Sequence, residues 1–284
     1  MMSKLLVIDK NRFQGIAEPL LVKFVRNYNV VLPYALGIEC LISNDGKGRR
    51  PGKSPMRLLS RFDAAVKAGA YFGYSSSALI RKEKETLCAV DSVVHEEGTR
   101  AVRDGFLALY EKSVGVEAAC CRQTFQPLVD ILCDLASAYL ANINKKGLCR
   151  DFQMEIQKTS QVQRFCKWLD AVRQMKTEIL RRWIPDVASN VTDEWYTWQV
   201  IRLWWAWATE CAGRRSHIGG PITIQKDVSN DLYDMEYIAY LSKADGILTR
   251  DKTLVEPLAR AAFPDKDVFS SLDEVPDDYL CDWG

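Results

Sequence analysis

Five acidic residues occupy positions from which they could bind a divalent metal ion. They are Asp9, Glu39, Asp231, Asp234 and Asp251. Carboxylates that converge in a folded protein repel one another unless a hard cation binds among them. Mg²⁺ and Mn²⁺ take oxygen ligands, and in such a site they can activate water for phosphodiester hydrolysis. These residues therefore predict a metal-dependent phosphodiesterase, provided that the fold brings them together.

Other reaction types have too few candidate residues in this chain. Two histidines in 284 residues are too few for a zinc site built on histidine, and no G-x-S-x-G elbow accompanies them. Neither the G-x-G-x-x-G nor the G-x-x-x-x-G-K-[ST] phosphate loop is present. The net charge of +1 argues against a protein that coats polyanions. Any chemistry must therefore depend on carboxylates.

The segments around Asp9 and Glu39 have the order of an α/β sheet. Residues 4–8 form a short apolar run that predicts a buried strand ending at Asp9, and a helical pattern covers 11–26. A second short strand is predicted at 29–33, followed by a helix over 34–42 that contains Glu39.

The same pattern returns near the end of the chain. A helix is predicted over 231–243, a strand over 246–249, a helix over 252–262 and a last strand over 268–270. Between the two α/β segments nearly everything indicates helix, most clearly 151–183, and the tryptophan-rich segment that follows is apolar enough to be buried.

These patterns predict an α/β protein with a parallel sheet of four to five strands, interrupted by a large all-helical insert. The core would comprise residues 1–45 and 217–284, and the insert residues 46–216. Ligands of parallel sheets bind beyond the carboxyl ends of the strands, which is where Asp9 and Asp251 would lie.

Each carboxylate also has a structural explanation that needs no metal. Asp9 and Asp251 could be N-caps of the helices that follow their strands. Asp231 and Asp234 could be first-turn acids that the helix dipole favours, and Glu39 could be a solvated side chain. The sequence leaves these alternatives open for each residue taken alone.

Four segments resemble the motifs of PIN-domain nucleases. Val7-Ile8-Asp9-Lys10-Asn11 is similar to their opening motif, and Pro33 through Glu39-Cys40-Leu41 is similar to their helix with a glutamate before leucine. Asp234 through Ile238-Ala239-Tyr240, followed by Ala244 through Thr249-Arg250-Asp251, is close to their ending. The resemblance covers about residues 4–44 and 225–276, and the long insert departs from the compact members of the family.

The resemblance implies a PIN-like core and a metal-dependent nuclease that acts on RNA more often than on DNA. Asp9, Glu39, Asp234 and Asp251 would be the catalytic, metal-binding residues, with Mg²⁺ or Mn²⁺ as cofactor. Asp231 would be an additional acid at the metal, and Thr249 and Asn11 would orient the carboxylates.

The alternative function is a catalytically inactive PIN-like scaffold whose insert binds a protein. A phosphatase of the haloacid-dehalogenase type would need an aspartate where Asn11 stands. As a nuclease, the protein could be a toxin of a toxin–antitoxin pair with an inhibitory protein partner, a phage-defence effector or an RNA-processing enzyme. No apolar run is long enough for a membrane span and the nine cysteines are scattered, so a cytoplasmic location is expected.

Two basic segments are candidates for contact with a nucleic-acid backbone. The segment 43–61 carries a net charge of +5, and the segment 145–183 a net charge of +6. A surface that serves only solubility would have the same composition, and this second explanation stays open for both segments.

Overall fold

A parallel sheet places two of the candidate carboxylates, Asp9 and Asp251, just after neighbouring strands. The computed structural model describes residues 3–42, 56–105, 133–139, 141–142, 144–145, 147, 149–215 and 226–281. The sheet has five strands in the order β3-β2-β1-β4-β5, and every neighbouring pair is parallel. The strands are β1 (Leu6–Ile8), β2 (Val30–Leu32), β3 (Tyr71–Phe72), β4 (Gly246–Leu248) and β5 (Asp267–Phe269). The predicted α/β class and the parallel sheet of four to five strands are confirmed.

The three central strands are short and fully buried. Every residue of β1, β2 and β4 is buried, which suits the apolar runs that predicted them. Val7 of β1 lies opposite Val31 on one side and Ile247 on the other. This register places the carboxyl ends of β1 and β4 side by side, so the residues that follow them are neighbours.

Helices alternate with the strands in both α/β segments and form most of the described part of the segment between them. They are α1 (Lys10–Gly15), α2 (Glu18–Asn27), α3 (Tyr34–Ile42), α4 (Met56–Ala68), α5 (Ser76–Thr86), α6 (Glu96–Arg103), α7 (Cys149–Lys158), α8 (Gln161–Gln174), α9 (Lys176–Trp183), α10 (Tyr196–Arg215), α11 (Lys226–Ala239) and α12 (Val255–Ala262). Residues 133–139 are also helical. None of the helices in the described ranges combines the length and the apolar composition that a bilayer span requires.

Two of the predicted helices are divided in the structure. The pattern over 11–26 is shared by α1 and α2, with Pro19 in the first turn of α2. The pattern over 151–183 is shared by α7, α8 and α9, because Ser160 starts α8 with a reciprocal capping box to Gln163. Apolar spacing continues across such breaks, and it therefore does not reveal them.

The expectation that residues 46–216 are entirely helical is wrong. β3 lies in this range and pairs with β2 at the edge of the sheet, with Val31 opposite Tyr71 and Leu32 opposite Phe72. A strand of two residues has no alternation to detect, and Gly69 adopts a positive φ just before it. Both predicted boundaries of the insert, at 45/46 and at 216/217, lie outside the described residues.

The helices of the middle segment share a hydrophobic core with the sheet. One buried cluster contains β1, β2 and β4 residues together with Phe165 of α8 and Trp204 and Trp207 of α10. A smaller cluster joins α9 to the beginning of α10 through Trp195 and Trp198. The expectation that these tryptophans belong to the core is confirmed.

Glu83 of α5 binds the N-terminal end of α10. Its carboxylate is fully buried, and it accepts hydrogen bonds from the backbone N–H groups of Val90, Tyr196 and Thr197 and from the Thr197 hydroxyl. Tyr196 and Thr197 are the first residues of α10, whose N–H groups have no partner within the helix. A side chain from a distant helix therefore caps α10.

Candidate functional site

Asp9 lies between β1 and α1, and it is only 1% exposed. It is the N-cap of α1, since its Oδ1 accepts a hydrogen bond of 2.7 Å from the backbone N–H of Arg12. Its Oδ2 accepts a hydrogen bond from the Thr249 hydroxyl. Burial raises the pKa of Asp9 to about 6 even though both hydrogen bonds lower it, and the charges of Asp251 and Glu39 raise it further.

Asp251 follows β4, the strand beside β1. Its backbone N–H donates to the Thr249 hydroxyl oxygen at 3.0 Å. Its Oδ1 accepts hydrogen bonds from the backbone N–H groups of Thr253 and Leu254, at 2.7 and 3.0 Å, and from the Thr253 hydroxyl. Asp9 thus fills the N-cap role that was open to it as an alternative. Asp251 is not the N-cap of α12, which is Leu254, and its carboxylate instead stabilises the turn that precedes this helix. Both residues lie at one edge of the sheet.

Glu39 is not a solvated side chain. It is buried in α3, its Oε1 lies 2.6 Å from Nζ of Lys10, and its Oε2 accepts a hydrogen bond from the Tyr237 hydroxyl. Burial raises the pKa of the Tyr237 hydroxyl well above its ordinary value, and the Glu39 carboxylate raises it further. Both oxygens of Glu39 therefore have partners within the protein.

Asp234 of α11 is the residue on which the carboxylates converge. Burial raises its pKa to about 8, and the charges of Glu39, Asp251, Asp231 and Asp9 all act in the same direction. Within the described part of the chain, no donor is hydrogen-bonded to its carboxylate. Asp231, one turn earlier, accepts a 2.8 Å hydrogen bond from the indole N–H of Trp207 in α10.

The structure therefore brings the five predicted carboxylates within electrostatic reach of one another. It does not place them as a formed coordination sphere, because no group of three or more His, Cys, Asp or Glu side chains among the described residues could hold a metal ion as it stands. The set nevertheless fits a hard divalent cation chemically. The five carboxylates offer oxygen ligands, which such a cation prefers. Among the described residues, Asp234 is surrounded by the negative charges of the other four.

Three residues of the site were not predicted from the sequence. Lys10 and Tyr237 hold Glu39, and Trp207 holds Asp231. Tyr237 stands three residues after Asp234 on α11, so the helical period places it on the same face and could have identified it. Trp207 comes from the middle segment, and only the packing of α10 against α11 brings it here.

Glu236 is a further acidic residue near this site that the sequence did not reveal. Burial raises its pKa to about 7, the charge of Glu39 adds to this, and a hydrogen bond with Ser76 lowers it. Ser76 belongs to α5 and also bonds to the buried Tyr196 hydroxyl at 2.7 Å. The environment of Glu236 therefore depends on a contact between α5 and α11, which spacing within one helix does not predict.

The predicted role of Asn11 does not appear in the structure. Its side chain is exposed, and no hydrogen bond joins it to a described carboxylate. Among the described side chains, Thr249 is the one that connects Asp9 to Asp251.

The two basic segments give different outcomes. Residues 43–55 of the first lie outside the described residues, and Arg61 at its end is buried over the ring of Phe13. In the second, Arg164 is buried and binds Glu210 with its Nη2 at 2.8 Å, and Lys167 pairs with Glu155. Arg164 is therefore part of the core, which excludes it from a surface track for nucleic acid.

Comparison with protein-family models, with curated proteins and with solved structures found no match to this chain.

Proposed function

We propose that the protein is a Mg²⁺- or Mn²⁺-dependent phosphodiesterase, an endoribonuclease, whose site is the carboxylate cluster at the carboxyl edge of the sheet. The observation that carries the proposal is the environment of Asp234. A partly buried carboxylate among four others, with a pKa raised to about 8, destabilises the folded protein at neutral pH unless a cation or a function compensates for it. The resemblance of the four motifs to PIN-domain nucleases supports RNA as the substrate.

The residues of the cluster share one role in this proposal, and Thr249 has another. Asp9, Glu39, Asp234 and Asp251 would hold the cation, with Asp231 beside Asp234. When bound, the cation would supply neutralisation of the phosphate charge and activation of water. The hydroxyl of Thr249 positions both neighbours, since it donates to Asp9 and accepts a hydrogen bond from the backbone N–H of Asp251.

The surrounding side chains keep the remaining carboxylates in place. Tyr237 and Lys10 position Glu39, and Trp207 positions Asp231. We also propose a cytoplasmic location, because Cys88 and Cys166 are exposed thiols, which persist in a reducing compartment.

A specific observation favours a second candidate, the inactive scaffold. Both oxygens of Glu39 already have partners in Lys10 and Tyr237, so the protein can satisfy this carboxylate without a metal. In that case the middle segment would bind a protein partner, Asp9 would serve as the N-cap of α1, and Asp251 would stabilise the turn before α12.

The experiment that separates the two candidates is cleavage of a mixed pool of RNA and DNA by the purified protein, with Mn²⁺ and with EDTA. The nuclease should cut RNA with Mn²⁺ and lose this activity with EDTA or in an Asp9→Asn variant. Asp186→Asn, at an exposed position outside the site, is the matched control. Absence of cleavage by the wild type under all these conditions would favour the scaffold.

A further inference from the structure

A small cleft lies between the end of α8 and the first half of α10. Its volume is about 170 Å³, and none of the five carboxylates described above lines it. The lining residues are Arg173, Asp193, Trp198, Gln199 and Arg202. Charged side chains dominate this list, so the cleft suits a polar or ionic group better than an apolar one.

Aromatic rings hold two cations at this cleft. The guanidinium of Arg202 lies 4.9 Å from the centre of the Phe263 ring, and its Nη2 donates to the carbonyl oxygen of Ala262 at 2.7 Å. Nζ of Lys176 lies 5.1 Å from the centre of the Trp198 ring. Such contacts fix the direction of a cation without removing its charge.

Negative charge in the cleft is scarce by comparison. Asp193 is the carboxylate among the lining residues, and it is already shared between Lys176 at 2.7 Å and Arg173 at 3.4 Å. The Asp193 backbone carbonyl is likewise occupied, since it accepts a hydrogen bond from the amide of Gln199. Three cations therefore meet one carboxylate.

The guanidinium of Arg202 is held in a partly desolvated position. Burial lowers the pKa of Arg202 to about 10, and the charge of Arg173 lowers it further, whereas Asp193 and the outlying Asp265 raise it. Two guanidinium groups that repel each other within a cleft favour an anion between them.

Two buried polar atoms of the lining have no hydrogen-bond partner among the residues that the structure describes. They are the Nε of Arg202, a donor, and the Oε1 of Gln199, an acceptor. Gln199 is 6% exposed, so bulk water has little access to its side-chain oxygen. Buried polar groups are paired in nearly all folded proteins, so a polar occupant would complete this cleft. An oxygen of an anion can accept from Nε of Arg202, whereas Oε1 of Gln199 needs a donor such as a P–OH group or a bridging water.

The size and the charge together define the occupant. A volume near 170 Å³ is below the range of about 300–1,000 Å³ for sites that take drug-sized ligands, and it is close to the cavity of about 150 Å³ that holds one benzene molecule. The planar guanidinium matches the oxygens of phosphate in pairs. We propose that the cleft binds a phosphate dianion, either free inorganic phosphate or the terminal phosphoryl group of a phosphomonoester.

Calorimetric titration of the full chain with inorganic phosphate tests this site, in EDTA so that no cation at the carboxylate cluster can bind the anion. Sodium chloride keeps the ionic strength constant, because the contacts are electrostatic. The wild type should bind phosphate in one saturable event. Since the test requires neither metal nor cleavage, its outcome is independent of the proposed nuclease activity.

Three variants assign the binding to the cleft. Arg173→Gln changes a side chain that is 72% exposed, and it should raise the dissociation constant about tenfold or more through loss of a charge-assisted contact. Asp193→Asn removes the competing carboxylate and should tighten binding. Arg81→Gln, at an exposed position of α5 away from the cleft, should leave binding unchanged. Circular dichroism verifies that each variant is folded.

A nucleoside 5′-monophosphate and the matching nucleoside identify the source of the phosphoryl group. Binding of the monophosphate but not of the nucleoside points to a terminal phosphoryl group, and binding of inorganic phosphate alone points to the free ion. The proposal is overturned if the wild type binds no phosphate, or if Arg173→Gln and Asp193→Asn both bind it as tightly as the wild type.

Discussion

The hydroxyl of Thr249 donates a hydrogen bond to Oδ2 of Asp9, and thereby joins the ends of two neighbouring parallel strands. The same oxygen accepts the backbone N–H of Asp251 at 3.0 Å. Thr249 is 1% exposed, so no water replaces it. One side chain thus sets the orientation of one carboxylate and the backbone of the next.

Thr249→Val should disturb Asp9 more than it disturbs the fold. The hydrogen bond from Thr249 lowers the pKa of Asp9, and its loss should raise that pKa above about 6. NMR titration of the Asp9 carboxyl measures this change, and the proposed nuclease activity should fall by about tenfold or more. Thr249→Ser retains the hydroxyl and should restore both values; a serine variant that behaves like valine would contradict the role.

Asp234→Asn should stabilise the metal-free protein, and more so at higher pH. The pKa of Asp234 is about 8 in the folded protein against the ordinary 3.8, so the folded state binds this proton more tightly than the unfolded state. The contribution of Asp234 to stability is therefore complete below about pH 4 and is lost as the pH rises towards 8. The amide keeps the shape without the charge.

Denaturant unfolding of the wild type and Asp234→Asn at pH 5 and pH 8 measures this difference. The gain from the substitution should be larger at pH 8, by roughly 1–3 kcal/mol. Asp186→Asn, at an exposed position, should show no such pH dependence. An Asp234→Asn protein that is equally or less stable at pH 8 would mean that Asp234 is ionised and paired in solution.

Mn²⁺ should raise the melting temperature of the wild type, and EDTA should reverse the effect. A ligand that binds only the folded state at a concentration of 100 times its dissociation constant stabilises by about 2.7 kcal/mol. Differential scanning fluorimetry of the wild type, Asp9→Asn and Asp234→Asn checks this expectation. Both variants should lose the shift, and Asp186→Asn should keep it. A wild type that does not respond to Mn²⁺ would support the scaffold.

The sheet could be predicted where burial is complete. β1, β2 and β4 are short apolar runs that end at Asp9, Pro33 and Thr249. Parallel strands that are buried on both faces typically have this continuous apolar pattern. The position of Asp9 and Asp251 could also be predicted, because residues that follow parallel strands lie at the same edge of the sheet. The pairing of β1 with β4 makes these two residues neighbours.

The remaining parts of the fold and site depend on tertiary contacts. β3 has two residues, and its position follows from pairing with β2 rather than from any pattern of its own. Lys10, adjacent to Asp9 in the sequence, reaches Glu39 on another helix, and Trp207 reaches Asp231 from the middle segment. Propensity and spacing are local quantities, and they do not contain these distances.

Glu83→Ala should destabilise the protein strongly. Its carboxylate accepts four hydrogen bonds in a fully buried position, three of them from the first two residues of α10. Without it, buried donors are left unpaired, and the expected loss is about 3 kcal/mol or more. Chemical denaturation measures this loss. Glu85→Ala, at an exposed position of the same helix, is the control and should change stability by less than about 0.5 kcal/mol.

Lys10→Met should strengthen the binding of Mn²⁺ if Glu39 is a metal ligand. The ammonium of Lys10 lies 2.6 Å from Oε1 of Glu39, and the Tyr237 hydroxyl occupies Oε2. A cation that uses Oε1 must displace Lys10, and the positive charge of Lys10 also repels any cation that approaches the cluster. Loss of the ammonium removes both effects, so the concentration of Mn²⁺ needed for half of the thermal shift should fall about tenfold.

The same substitution has an opposite effect when no metal is present. In EDTA, Lys10→Met leaves the buried Glu39 without its counter-charge, and its melting temperature should fall below that of the wild type. Lys67→Met, which removes an exposed ion pair with Asp63, is the matched control and should change neither quantity by much. An unchanged response to Mn²⁺, together with a lower melting temperature in EDTA, would remove Glu39 from the metal site and leave its pair with Lys10 as a contact that stabilises α1 against α3.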